Sequence, residues 1–288
     1  MNRISILLKN IRILSKLKLW EYNYELTRDI FDNIQYEIDN EFKPELTVLN
    51  YEDTVDKLML HPKSFCRFGD GEMEIIKGNN IPFQKYDKKL AEKMKFILKN
   101  NIPNLYVGIN YNYFHSTRNL LPFVREFYLK NASTYRKNFI EYSSNDREYI
   151  AAGFNQIYMS LKDYDFQKHY DKIKTLFKDK NVVLFIGKGI KNKFKYNIFE
   201  DAKSIEYVVG PNVNAFNEYE NLLAKAVTYD KDNILCFILG PTSKILVYDL
   251  SQLGYLAYDV GHLMKDYDAY MNRFPRDKQG IIDFYRPD

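Results

Sequence analysis

Apolar residues recur along this chain in two rhythms that alternate from residue 46 onward. Continuous apolar runs over 64–68, 105–109, 182–186, 205–209, 234–239 and 255–260 have the length of buried strands. Between them, apolar positions three and four apart predict helices over 51–60, 87–100, 169–177, 215–228 and 242–253. Strand–helix alternation with Gly or Asn at the strand ends predicts an α/β fold: a Rossmann-like, mainly parallel sheet with helices on both faces. Residues 111–165, rich in Tyr, Asn and Arg, break the rhythm and read as a helical insertion. With no repeat or low-complexity linker, one domain over 46–288 is expected, preceded by an arm over 1–45.

The arm has its own pattern. Ile4, Leu7, Leu8, Ile11 and Leu14 share a helical stripe, with Lys9, Arg12 and Lys16 on another face. A basic amphipathic helix of this kind suits an anionic membrane surface, or a face of its own domain or of a second subunit. Peripheral membrane contact through residues 1–20 and a homo-oligomer therefore both stay open. Residues 21–42 continue as a polar, helical arm up to Pro44.

Composition excludes more than it assigns. The 45% apolar and 28% charged content is that of a soluble globular protein. The 25 Tyr and 20 Phe, against one Trp, fit either a biased base composition in the coding sequence or tyrosines lining a sugar-sized polar cleft. The net charge is +4, yet the first 20 residues alone carry five basic side chains and no acid. The rest of the chain is nearly neutral and has no basic block for nucleic acid. Cys66 and Cys236 lie inside apolar runs without CxxC or His/Cys ligand spacing, which argues against structural zinc and a disulfide framework and fits a reducing cytoplasm. No apolar run approaches the roughly 18 residues of a membrane span, and charges interrupt the N-terminus too early for a signal peptide.

In parallel α/β sheets, ligands gather beyond the carboxyl ends of the strands. SFCRFGDGEME places Arg67, Gly69, Asp70, Gly71 and Glu72 at the first such end. Two carboxylates this close repel unless a cation or an arginine compensates, and Mg²⁺ or Mn²⁺ shared with substrate phosphates is one answer. An acidic turn capping the next helix is the other. Arg67 has two outlets, a pair with Asp70 or a phosphate. Gly187 and Gly189 flank Lys188 after another run, without P-loop spacing, and an ordinary tight turn accounts for them as well. In GPTSKI, Gly240, Thr242 and Ser243 open a helix whose free amides favour an anion, or simply cap it. YDVGHLMKDYDAY gathers Asp259, His262, Asp266 and Asp268 after the last run, a candidate source of a general acid or base.

Together these segments resemble a bacterial family, the GT-D glycosyltransferases, which act on adhesin glycans and surface polysaccharides. The motifs that carry the resemblance are RFGDGE at 67–72, IPFQKYDKKLA at 81–91, GPNVNAFNEYENLL at 210–223, LGPTSKILVYDLSQLGY at 239–255 and DVGH at 259–262. The resemblance implies a Rossmann-like sheet of GT-D type and a UDP-sugar donor. It implies Mn²⁺ or Mg²⁺ on Asp70 and Glu72, and transfer of a hexose, glucose or galactose. The acceptor would be a glycan, lipid-linked or protein-linked, in surface polysaccharide (capsule) or glycoprotein synthesis; a cytoplasmic protein is expected, peripheral at the inner face of the cell membrane if the basic N-terminal helix docks there. The expected donor contacts are Arg67, Gly69, Gly71, Gly187, Gly189, Asn212, Asn214, Gly240, Thr242 and Ser243. Asp266 is expected as the base with His262 as its orienter or alternative, Asp268 at the acceptor, Arg67 as electrostatic support, and inversion at the anomeric carbon. The family tends to continue its Gly-His with Asp-x-Glu-Tyr-Glu-Trp, whereas this chain reads LMKDYDA, with Met264 for an Asp and Ala269 for the Trp. Two rival readings are a metal-dependent nucleotide-sugar phosphohydrolase and a non-catalytic glycan-binding scaffold subunit.

Overall fold

The computed structural model describes residues 45–286, together with Thr27, Ile30, Phe31 and Ile34; the amphipathic stripe expected over 1–20 lies outside the described residues. Seven parallel strands form one sheet in the order β3-β2-β1-β7-β6-β4-β5. They are β1 (Ser64–Arg67), β2 (Leu105–Ile109), β3 (Ile150–Ala151), β4 (Asn181–Gly187), β5 (Ser204–Gly210), β6 (Ile234–Ile238) and β7 (Leu256–Asp259). The six apolar runs each became a strand within two residues of the expected ends. The two-residue β3 is new and comes from the insertion.

The helices are α1 (Tyr51–Leu60), α2 (Asp70–Ile76), α3 (Lys88–Lys99), α4 (Pro122–Tyr142), α5 (Phe166–Phe177), α6 (Tyr219–Ala226), α7 (Thr242–Gln252), α8 (Leu263–Met271) and α9 (Lys278–Tyr285). Side-chain carboxylate or amide oxygens satisfy the first free amides of several: Asn50 for α1, Asp87 for α3, Asp165 for α5 and Asp277 for α9. In α3 the stripe Leu90, Ala91, Met94, Ile97, Leu98 is buried, as the 3.6-residue period requires. The insertion holds α4, which starts on a proline and buries only the face of Tyr128, Ala132, Arg136 and Phe139.

Burial follows sheet position. β4 and β6, with neighbours on both sides, are almost wholly buried, while β5, an edge strand, is half exposed. Many of the aromatics are core: Phe65 stacks on Tyr258 at 4.5 Å and Phe185 on Phe237 at 4.6 Å, and Tyr113, Tyr149, Tyr170 and Tyr258 are fully buried. Cys66 and Cys236 are buried and unpaired. Among the described residues no helix is long and apolar enough to cross a membrane.

Candidate active site

From β1 the chain builds outward through β2 to β3, then crosses over and returns through β6 to β7 beside β1. The strand order therefore reverses between β1 and β7, and in sheets of this kind ligands bind beyond the carboxyl ends at such a point. Arg67 ends β1 and Asp259 ends β7. The two residues are bonded at three points. The Arg67 backbone N–H donates to Asp259 Oδ2 (3.1 Å), Nε to the Asp259 carbonyl (2.8 Å), and Nη2 to Asp259 Oδ1 (3.2 Å) in a buried ion pair. Its Nη1 donates to Asn155 Oδ1 (2.8 Å) and the Ala152 carbonyl (3.0 Å), both in the insertion. The structure thus answers the Arg67 question: its guanidinium is held by Asp259 and the insertion, not by Asp70.

This pairing also explains a glycine. At Gly261 (φ +45°) a Cβ would lie 1.8 Å from Arg67 Nη2, so DVGH needs its glycine to let the guanidinium pass.

A second cation completes the network. Lys244, in the first turn of α7 and 4% exposed, bonds Glu72 Oε1 (2.8 Å), Asp259 Oδ2 (3.2 Å) and the Gly240 carbonyl (3.2 Å). Glu72 Oε2 accepts the Gly69 N–H at 2.9 Å, closing the first turn of α2 as a cap. Two cations, Lys244 buried and Arg67 largely so, thus face two carboxylates, Asp259 buried and Glu72 largely so. Burial works against the Lys244 charge, but Asp259 and Glu72 outweigh it and raise its pKa. Burial likewise works against Asp259, and Arg67 with Lys244 overcomes it and lowers that pKa. Both shifts favour the charged forms of Lys244 and Asp259.

Asp70 is the odd carboxylate. It opens α2 with an exposed side chain and forms no ion pair among the described residues. Burial of its carboxyl against the protein, then the Glu72 charge, raises its pKa; the Asp70 and Gly71 N–H groups partly offset this. The hydroxyls of Tyr113, Tyr128, Tyr135 and Tyr285 lie within its field, and their own pKa values are raised chiefly by burial. The Tyr113 hydroxyl is buried without a hydrogen-bond partner.

The other expected residues divide between this site and its supports. Gly240 takes a left-handed turn (φ +57°), Ser243 Oγ accepts the Leu239 N–H, and Thr242 Oγ1 is buried without a hydrogen-bond partner at the α7 N-terminus. The Lys244–Glu72 bond puts this helix start against the Asp70 turn. Gly187 lies under Asn212, whose Oδ1 a Cβ would meet at 2.5 Å, and Gly189 makes an exposed turn (φ +90°). Asn214 binds the loop after α2: its N–H donates to Phe83 O and its Oδ1 accepts Lys85 N–H, each at 2.8 Å. Ile81 in that loop lies 3.5 Å from the Cβ position of Gly71.

Past β7 the acids serve as anchors. Asp266 is fully buried, and its oxygens accept the N–H groups of Tyr158 (3.0 Å) and Met159 (3.1 Å) and the Tyr170 hydroxyl (2.6 Å). Burial raises its pKa to about 6. An acceptor hydroxyl cannot approach oxygens enclosed in this way, so the expectation of Asp266 as base is corrected: it fastens the insertion to α8. Asp268 Oδ1 accepts the N–H groups of Lys195 and Tyr196, both at 2.9 Å, and so holds the segment after β4. His262, half-buried before α8, packs beside the rings of Phe284 and Tyr285.

Sequence reasoning overlooked Lys244 and left Asp259 without a task. The signal was a lysine followed by Ile, Leu and Val at a helix start, a charge where the pattern demands burial. Among the described residues no three His, Cys, Asp or Glu side chains cluster to hold a metal. The fit to a divalent cation therefore rests on Asp70: a hard, exposed carboxylate that leaves the remaining positions to substrate phosphates and water, the arrangement Mg²⁺ prefers.

The sequence matches the family described as Glycosyltransferase GT-D fold over residues 65–281. The chain belongs to that family. It is 28% identical over 228 residues to a probable glycosyl transferase Gly of Streptococcus gordonii, covering 78% of this chain and 33% of that protein. It is 27% identical to glycosyltransferase GlyD of Streptococcus pneumoniae serotype 4, covering 77% of this chain and 27% of that protein. The chain thus spans about a third or less of the length of these curated relatives. A solved structure described as a highly conserved domain of unknown function with a distinct glycosyltransferase fold superposes with a TM-score of 0.75 at 27% identity, over 80% of this chain and 83% of that one. A glycosyltransferase from Streptococcus sanguinis gives 0.76 at 25% identity, over 81% and 87%. The GT-D expectation for fold and family holds.

Proposed function

We propose that this chain is a metal-dependent transferase that moves a hexose, glucose or galactose, from a UDP-sugar to a glycan acceptor in surface polysaccharide or glycoprotein synthesis. The observation that carries the reading is the contact between two unlike ends. An exposed carboxylate without an ion pair, Asp70, stands beside the α7 N-terminus, where the Thr242 hydroxyl is buried without a hydrogen-bond partner. A carboxylate suits a divalent cation and a helix N-terminus suits phosphate, so a cation–diphosphate pair matches both. When bound, Mg²⁺ or Mn²⁺ takes up charge on the departing diphosphate.

The chain's own residues then divide the work. Asp70 holds the cation, the first turn of α7 receives phosphate oxygens, and the Arg67–Asp259–Lys244–Glu72 network fixes the two turns against each other. His262, half-buried in the turn between β7 and α8, takes the acceptor proton in place of the enclosed Asp266. Calorimetric titration of UDP with and without Mn²⁺ tests the donor site in wild type and Asp70→Asn. Metal-dependent binding that Asp70→Asn loses supports the reading, whereas well-folded wild type that binds no UDP overturns it. Phosphate release from a nucleotide sugar without an acceptor would favour the phosphohydrolase instead.

A further inference from the structure

Both oxygens of Glu72 have partners inside the protein, Lys244 Nζ at 2.8 Å and the Gly69 N–H at 2.9 Å, and its side chain is 13% exposed. Asp70, two residues earlier, is exposed and forms no ion pair among the described residues. The paired carboxylates of the Asp-x-Glu motif thus stand in opposite states. Lys244 cannot move aside cheaply, since its ammonium is buried between Glu72 and Asp259 and bonded to the Gly240 carbonyl. A divalent cation drawing on Glu72 would stand close to that ammonium, and the like charges would repel in a poorly solvated site.

We infer that Lys244 is a positioning residue that occupies Glu72 as an internal counter-cation, so that Asp70 alone of the motif binds the divalent ion directly. The inference rests on the metal reading proposed above and deepens it. Lys244 sets how tightly the ion is held, and an ion held through one carboxylate leaves more readily with the nucleotide. It also ties the phosphate-facing turn at Gly240 to the carboxylate turn at Asp70, because the same ammonium contacts both.

The test is Mn²⁺ titration of the full chain, read from the electron paramagnetic resonance signal of the free ion, with and without UDP. Circular dichroism checks the folding of each variant. Asp70→Asn is expected to weaken Mn²⁺ by about tenfold or more, and Glu72→Gln by clearly less than Asp70→Asn. Lys244→Met, similar in length and uncharged, frees Glu72 and is expected to tighten Mn²⁺ by about fivefold or more. The double variant Glu72→Gln/Lys244→Met removes that gain. Folded Lys244→Met that binds Mn²⁺ no more tightly than wild type overturns the inference, as does Glu72→Gln weakening Mn²⁺ as far as Asp70→Asn does. If Lys244→Met does not fold, the comparison of Glu72→Gln with Asp70→Asn decides alone. Wild type lacking Mn²⁺-dependent UDP binding sinks the proposed function, while a gain of Mn²⁺ in Lys244→Met without UDP would still support the role of Lys244.

Discussion

Replacing Gly261 by alanine examines the network through one methyl group. The new Cβ would lie 1.8 Å from Arg67 Nη2, 2.9 Å from its Cζ and 3.2 Å from Asn155 Nδ2. A long arginine can usually swing away, but this one is fixed by Asp259, Asn155 and the Ala152 carbonyl. The guanidinium must leave Asp259, and breaking one side of a buried pair costs about 3–5 kcal/mol. The left-handed backbone at φ +45° adds about 1 kcal/mol for any residue with a Cβ. The expected loss is about 4–6 kcal/mol, a large part of the roughly 5–15 kcal/mol that holds a domain together. Gly189→Ala is the control, because its φ of +90° brings the strain while nothing lies within 4 Å of its Cβ. It should cost only about 1–2 kcal/mol. Urea unfolding followed by circular dichroism measures both as shifts in midpoint at constant slope. If Gly261→Ala matches Gly189→Ala, the Arg67–Asp259 pair does not hold the site together as argued.

Two buried groups give pH dependences of opposite sign. His169 donates from Nε2 to the Phe154 carbonyl and accepts the Tyr164 hydroxyl, and burial lowers its pKa to about 4. Its stabilising effect is full above pH 6.5 and is lost as pH falls through 4, about 3 kcal/mol in all, so unfolding of His169→Gln should be flatter over that interval than wild type. Asp266, raised to about 6, favours the folded state below pH 4 and loses that contribution as pH rises through 6. The destabilisation caused by Asp266→Asn should therefore grow by about 3 kcal/mol between pH 7 and pH 4, and a gap that shrinks on acidification would count against the assignment.

The sheet was legible because its central strands are buried on both faces and so read as unbroken apolar runs, whereas β3 could not be seen: two residues carry no period. The insertion read as helical because α4 presents a narrow apolar face over 21 residues. Its task was hidden, since Asn155 and Ala152 meet Arg67 only across 85 residues or more of chain. Asp70 and Glu72 were visible as a pair but not as unequals. That inequality comes from Lys244, 172 residues after Glu72 in sequence and 2.8 Å from it in space.

The acids after β7 show why spacing alone misassigned them. A strand end, a turn and a helix aim Asp259, Asp266 and Asp268 in different directions, and each reaches a different part of the fold. Asp259 takes Arg67 from β1 and Lys244 from α7, Asp266 takes the 158–159 turn of the insertion, and Asp268 takes the 195–196 segment after β4. Each binds backbone amides or buried cations, which a carboxylate accepts more strongly than a neutral side chain does. One short segment therefore fastens three neighbours around the site, and its acids are occupied by that work. Asp70, an exposed residue at the start of α2, is the carboxylate of this region that the network leaves without an ion pair among the described residues, and for that reason the proposed metal role rests on it.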